Sequence, residues 1–317
     1  MAQQISSPEP SPGHSDDPGL SFAVHSTGLT RTYPGGAGVF DVGLAVPRGC
    51  VYGLVGPNGA GKTTLVNLIA GLRRPDHGSV GLRVPPGKVA VVTDVPEFEP
   101  WLTVAETVEL AGRLVDPGLP YQRVKAALHR AGLNEVLNRR VATLSRGTLQ
   151  RLGLACALVA GPELIVLDEP TSALDPRGRA EILDLVADLR GKCTVLFSSH
   201  ILADVQRVCD HVGVMRTGRL IYQGPVAELV RTHMKPTWLV RVREGSPALL
   251  RALAAEEWVA RVTSVRPGLL RVQARTMEEG ERLIHGVIDR SGARVVSVAP
   301  EESDLENAFL SITGAVR

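Results

Sequence analysis

The run Gly56-Pro57-Asn58-Gly59-Ala60-Gly61-Lys62-Thr63, with Thr64 behind it, constrains this chain more than any other segment. It has the spacing G-x-x-x-x-G-K-S/T. It lies between a short apolar strand, Val51 to Val55, and a segment of helical period from Lys62 to about Leu72. Glycines let the backbone curl until successive N–H groups face one point, and the start of a helix adds positive potential there. A lysine at this position neutralises β- and γ-phosphate charge, and the hydroxyl after it can reach Mg²⁺. The loop therefore predicts binding of ATP with Mg²⁺, and a strand that feeds a helix through such a loop predicts an α/β fold.

The rest of the chain agrees with that class. Val89 to Thr93, Leu164 to Leu167 and Thr194 to Ser198 read as buried strands, and 178 to 190 and 201 to 208 as helices. Residues from about 103 to 160 carry apolar spacing near the helical period. Phe22 to Val46 reads as strands broken at Pro34-Gly35-Gly36. Alternating strands and helices imply a largely parallel sheet. Composition shifts after about Val230. Trp238 to Val242, two short stretches near Val262 and Leu270, and Arg294 to Val298 read as strands. Pro247 to Glu257, Met277 to Arg290 and Leu305 to Ile312 read as helices. That order suits a small split-βαβ unit of α+β type. The expected division is a disordered Pro/Ser/Gly-rich tail over 1–20, a nucleotide-binding domain over 21–232 and a small accessory domain over 236–317.

Bulk properties exclude some function classes. The chain has 317 residues and a net charge of +2, which argues neither for nor against a nucleic-acid or membrane partner; an overall basic field of the kind that binds polyanions is missing, and no nucleic-acid partner is expected. The four cysteines, Cys50, Cys156, Cys193 and Cys209, are scattered and read as small buried residues, as in a reducing cytoplasmic compartment. No stretch has the length and apolarity of a bilayer span, and no signal peptide is visible at the N-terminus.

Two further segments carry chemistry. Leu164-Ile165-Val166-Leu167 ends in Asp168-Glu169, which brings carboxylates to the edge where ligands gather in open α/β sheets. Asp168 there would hold Mg²⁺, and Glu169 would orient and polarise the attacking water. Leu144-Ser145-Arg146-Gly147-Thr148 precedes a helix. Taken alone, Ser145 reads as its cap.

Taken in order, the glycine loop, L-S-x-G, L-D-E-P, the Ser172-Ala173-Leu174-Asp175 turn and Ser198-Ser199-His200 resemble the ATP-binding subunits of ABC transporters, over roughly residues 22 to 230. The resemblance implies a P-loop NTPase of ABC ATPase type: a mixed or mainly parallel sheet core, an antiparallel β subdomain and a helical subdomain. It implies that Tyr33 stacks on adenine and that Gly56 to Thr64 hold the phosphates. Ser145 and Gly147 would contact the γ-phosphate bound by a partner subunit, and residues 172–175 would link the two sites. Glu169 would be catalytic, with His200 as the switch histidine, and Thr63, Asp168 and Asp94 would be the Mg²⁺ ligands. Each of the newly matched positions also has a plainer reading: Tyr33 as core, Asp175 as a helix cap and His200 as a strand-end cap. The implied protein is an ATPase that works as a homodimer or with a related subunit. It would sit on the cytoplasmic face of the membrane, held there by a separate permease chain. The region after about residue 236, with its closing run Leu305-Glu306-Asn307-Ala308-Phe309-Leu310, is similar to the extension of the exporter branch, where dimer support or regulation is its implied role. The alternative is a non-transport ATPase of the same type acting on DNA or ribosomes. Those usually carry a long coiled-coil insertion or two cassettes, and neither is visible here.

Three features depart from the family pattern or stand out from it. Arg146 and Thr148 change the usual L-S-G-G-Q. Asp94 stands where a glutamine normally reaches Mg²⁺ and the water, so it is expected to keep the cation but slow hydrolysis or alter its coupling, unless it is a solvated loop acid. Phe98 and Trp101 form a noticeable aromatic pair in a chain with 4% aromatics. They read equally as a partner anchor and as inward packing against the helical region.

Overall fold

The computed structural model describes residues 21–85, 87–172, 174–232, 236–301 and 305–313. The expected tail over 1–20 and Ala173 lie outside the described residues. The chain opens with β1 (Phe22–Thr32), β2 (Gly38–Val42) and β3 (Ala45–Pro47), followed by β4 (Val51–Val55), α1 (Lys62–Ile69), β5 (His77–Leu82) and β6 (Val89–Val92). Next come α2 (Val104–Val115), α3 (Tyr121–Arg130), α4 (Arg146–Val159), β7 (Leu164–Asp168), α5 (Pro176–Ala187), β8 (Thr194–Ser199) and α6 (Leu202–Val208). A hairpin of β9 (His211–Arg216) and β10 (Arg219–Pro225) leads into α7 (Val226–Thr232). The last part holds β11 (Thr237–Glu244), α8 (Ser246–Ala254), β12 (Val259–Arg266), β13 (Leu269–Ala274), α9 (Met277–Ser291), β14 (Arg294–Pro300) and α10 (Leu305–Thr313).

The central sheet has the order β10-β9-β4-β8-β7-β6 and is parallel apart from β10. Every residue of β4, β7 and β8 is buried, as expected of strands covered on both faces. This order is what builds the site. The ends of β4, β8, β7 and β6 lie side by side, so the residues that follow them (Gly56, His200, Glu169 and Asp94) leave the same edge of the sheet. An antiparallel layer of β2, β1, β3 and β5 lies beside the sheet. Helices α2, α3 and α4 enclose their own cluster around Val104, Val108, Leu128 and Leu152. The fold class is therefore as the sequence implies: a mainly parallel core, an antiparallel layer and a helical region.

Several boundaries differ from the sequence expectation for local reasons. The helix after the glycine loop ends at Ile69, short of Leu72, because Gly71 takes a left-handed turn at φ 72°. The strand expected at 89–93 stops at Val92, which leaves Thr93 and Asp94 in the loop. The helix expected from 178 begins at Pro176, with the Asp175 side chain accepting from Gly178 N–H at 2.7 Å. Asp175 is thus a helix cap.

Residues 237–300 form a four-stranded antiparallel sheet in the order β12-β13-β11-β14, the split-βαβ connectivity. Its core is Trp238, Val240, Leu249, Leu253, Leu270, Val272 and Ile284. The final helix does not join that sheet. Leu305 and Ala308 of α10 are buried in the cluster that contains Val205, Val208 and Leu229, and the Leu305 N–H donates to Gln206 Oε1 at 2.7 Å. Arg216, at the end of β9, donates to the carbonyl of Thr313. All four cysteines are free thiols, three buried and Cys156 half-buried.

Candidate functional site

The loop after β4 is shaped by contacts that only glycine permits. A Cβ on Gly56 would lie 2.5 Å from the Met215 carbonyl oxygen, and one on Gly61 would lie 2.9 Å from that of Gly38. Gly61 also adopts φ 99°, where a side chain is strained. It is the N-cap of α1 and supplies no side-chain cap, and the first turn has no acid. Among the described residues, the N–H groups of Gly61, Lys62, Thr63 and Thr64 find no acceptor. Uncapped donors at a helix start, over glycines, fit a phosphate group.

Lys62 is 6% exposed, and its ammonium donates to the Gly56 carbonyl at 2.9 Å and pairs with Glu169 Oε1 at 3.1 Å. Glu169 Oε2 accepts from His200 Nδ1 at 2.7 Å. With Glu169 accepting, Nδ1 carries a hydrogen, and the other ring nitrogen is turned to whatever else the site holds. Glu169 has φ 48°, the left-handed region that a non-glycine residue occupies at a cost of about 1–2 kcal/mol. Its backbone N–H donates to Ser198 Oγ at 2.9 Å, which helps hold that conformation.

The same Ser198 hydroxyl donates to Asp168 Oδ1 at 2.6 Å. Asp168 is buried. Burial is the main influence pushing its carboxyl above the usual range, opposed by hydrogen bonds from Ser198 and Thr63; the charges of Glu169 and Asp94 push it further up. A hard cation placed here would relieve that unfavourable charge. Among the described residues no group of three or more His, Cys, Asp or Glu could hold a metal alone. The Thr63 hydroxyl, hydrogen-bonded to Asp168, and the Asp168 carboxylate are hard oxygen donors of the kind that fits Mg²⁺.

The structure brings together Gly56 to Thr64, Asp168, Glu169 and His200. Asp94 is exposed and accepts a hydrogen bond from Ser172 Oγ, and its charge reaches Asp168. The Ser145 side chain accepts from Thr148 N–H at 3.3 Å and meets its hydroxyl at 2.9 Å. Ser145 is thus a helix cap as well as exposed, and Thr148 is its local partner. A Cβ on Gly147 would lie 3.6 Å from Leu174, so this segment borders the 172–175 turn within the chain. Tyr33 is half-buried at the end of β1, with the Arg31 guanidinium 5.5 Å from its ring centre. The two aromatics after Asp94 part company: Phe98 packs on the helical cluster, whereas Trp101 is 65% exposed. Beside them runs a groove of about 460 Å³ lined by Glu97, Phe98, Glu99, Leu102, Leu110 and Leu114. Ser198 and Asp204 are site-shaping residues that motif reading passes over. Only the S-S-H run hints at the former.

A parallel sheet that presents a phosphate loop, a paired carboxylate and a histidine along one edge defines a nucleotide-hydrolysing P-loop ATPase. The chain belongs to the ATP-binding subunits of ABC transporters. A family model described as "ABC transporter" matches residues 39–172. The chain is 36% identical to the uncharacterised ABC transporter ATP-binding protein YxlF of Bacillus subtilis, over 68% of this chain and 75% of that one. It is 31% identical to the daunorubicin/doxorubicin resistance ATP-binding protein DrrA of Streptomyces peucetius, over 92% of each chain. Among solved structures, it is similar to the dimeric post-hydrolysis state of the ATP-binding cassette MJ0796 bound to ADP and Pi. That match has a TM-score of 0.57 and 26% identity, and covers 64% of this chain and 98% of that one. No helix among the described residues is long and apolar enough to cross a membrane.

Proposed function

We propose that this chain is the ATP-hydrolysing subunit of an exporter. Residues 21–232 would be its nucleotide-binding domain, and the region after 236, whose final helix α10 packs back on that domain, an accessory unit that supports the dimer or regulates it. The observation that carries the catalytic part is the contiguous set Lys62, Glu169 and His200, linked at 3.1 Å and 2.7 Å. Lys62 and the N–H groups of Gly61 to Thr64 bind the phosphates within the Gly56 to Thr64 loop, and Tyr33 stacks on the base. Thr63, Asp168 and Asp94 would hold Mg²⁺, which supplies charge neutralisation on the phosphates when bound. Glu169 orients and polarises the attacking water, and His200 holds that carboxylate and faces the γ-phosphate. Ser145 is exposed, and its hydrogen bonds among the described residues are local, to Thr148. Ser145 and Gly147 serve the nucleotide held by a second copy or a related subunit, so two ATP molecules lie between two subunits.

The export direction is supported by the near-full-length likeness to a drug-resistance ATP-binding protein. The groove lined by Phe98, Leu102, Leu110 and Leu114, together with the exposed Trp101 next to Leu102 in sequence, offers the docking place for a segment of a permease chain at the cytoplasmic face of the membrane. Tagged full-length chain, purified in detergent, is expected to bring down a polytopic membrane chain and to hydrolyse ATP in that complex. Recovery of the chain with ribosomes or DNA would support the non-transport alternative instead.

Asp94 serves this scheme as a shorter, charged substitute for an amide. Its bond to Ser172 and its repulsion of Asp168 both draw on the same carboxylate. Asp94→Gln is expected to raise ATP turnover about two- to fivefold, because it removes one negative charge near Glu169. Unchanged turnover and unchanged transport in that variant would remove Asp94 from the site.

A further inference from the structure

Asp204, in the first turn of α6, is 1% exposed, as deeply buried as the core valines around it. Its carboxylate is fully engaged. Oδ2 accepts from Thr171 Oγ1 at 2.8 Å, and Oδ1 takes both Nε and Nη2 of Arg179 at 2.6 Å. The three partners come from different places. Thr171 lies two residues after Glu169, Arg179 lies on α5 beyond the 172–175 turn, and α6 starts two residues after His200.

Holding α5 to α6 does not call for this arrangement. Ile182, Leu183, Val186, Val205 and Val208 already share one apolar cluster, and an exposed pair, Arg207 with Asp184 at 2.7 Å, joins the same helices further along. A buried carboxylate is costly to desolvate, and apolar residues of similar volume usually stabilise such a place at least as well. What the charge provides is fixed geometry. It anchors the backbone just after Glu169 to the helix just after His200, and the contact between those two side chains closes the same loop at 2.7 Å. Glu169 sits at φ 48°, a conformation that persists only where its surroundings hold it.

We propose that Asp204 is a positioning residue for ATP hydrolysis, holding Thr171 and the first turn of α6 at the separation that sets the Glu169–His200 pair. The proposal rests on the reading of Glu169 and His200 as the hydrolytic groups.

The test measures steady-state ATP turnover of the full chain in the assembly that supports the parent's activity. Thr171→Val keeps the side-chain shape and removes the hydroxyl donor, whereas Thr171→Ser keeps the donor. Thr171→Val is expected to lower kcat about tenfold while KM for ATP moves less than about twofold, and Thr171→Ser to stay within about twofold of the parent. Asp204→Asn, which keeps an acceptor but loses the charge, is expected to follow Thr171→Val. Asp184→Asn, at the exposed pair, is expected to match the parent. Parent-level kcat in Thr171→Val would overturn the proposal, and so would an equal fall in Thr171→Ser, which would mark a packing role. Glu169→Gln run alongside separates the two layers. If it turns over at the parent rate, the underlying reading fails. If it is inactive while Thr171→Val is unimpaired, only the role of Asp204 fails.

Discussion

Glu169→Gln is expected to lower ATP turnover about 10²- to 10³-fold while leaving ATP affinity within about threefold of the parent. The amide keeps the side chain's length and can still accept from His200 Nδ1, now 2.7 Å from the carboxylate. It loses the charge that polarises the attacking water and that pairs with Lys62 at 3.1 Å. Lys62 then keeps its bond to the Gly56 carbonyl but no longer shares its charge with a carboxylate, so phosphate binding is retained or improved as hydrolysis fails. Two subunits closed over ATP should therefore accumulate, visible as a dimer by size-exclusion chromatography with ATP and Mg²⁺ and as a monomer without nucleotide. Turnover at the parent rate would remove Glu169 from its role.

The second large effect concerns stability rather than chemistry. Leu305 has no exposed surface, and it is buried with Val205, Val208 and Leu229 although it lies far downstream of them in sequence. Leu305→Ala is expected to destabilise the nucleotide-binding body by about 2–4 kcal/mol, the usual range for a fully buried leucine. Leu114→Ala, at a side chain 78% exposed, should change stability by less than about 0.5 kcal/mol. Urea denaturation followed by tryptophan fluorescence and circular dichroism would measure both. A Leu305→Ala protein as stable as the parent would show that α10 is only loosely attached.

Period and punctuation in the sequence reveal the central sheet well. Val51 to Val55 and Leu164 to Leu167 are short apolar runs between turn signals, and in the structure they are buried on both sides. The phosphate loop and the acid pair were legible for the same reason, since local chemistry fixes their spacing. Two kinds of feature escape such reading. The strand His77–Leu82 is mostly exposed or half-exposed, so it lacks the alternation that marks a strand. The β9–β10 hairpin turns through Thr217 at φ 46° and Gly218, and its strands blend into the composition change that follows. Tertiary pairing was also invisible. Nothing local marks Asp204 as the partner of Thr171, or Ser198 as the hydroxyl shared by Asp168 and Glu169. Ser145 and Asp175 show the reverse. Their capping geometry is readable from sequence and is present, but it says nothing of what else they contact.

The return of α10 to the first body bears on how the protein is made. The bond between Leu305 and Gln206 joins residues 99 apart, and the whole split-βαβ unit lies within that loop. On a ribosome, the part of the apolar cluster that Leu305 and Ala308 cover stays open until α10 has been synthesised. Closing so long a loop adds only a modest entropic cost but raises the contact order, so seating α10 is expected to be among the slower steps of folding. Folding of the split-βαβ unit before that step would shorten the effective loop and ease the return of the final helix.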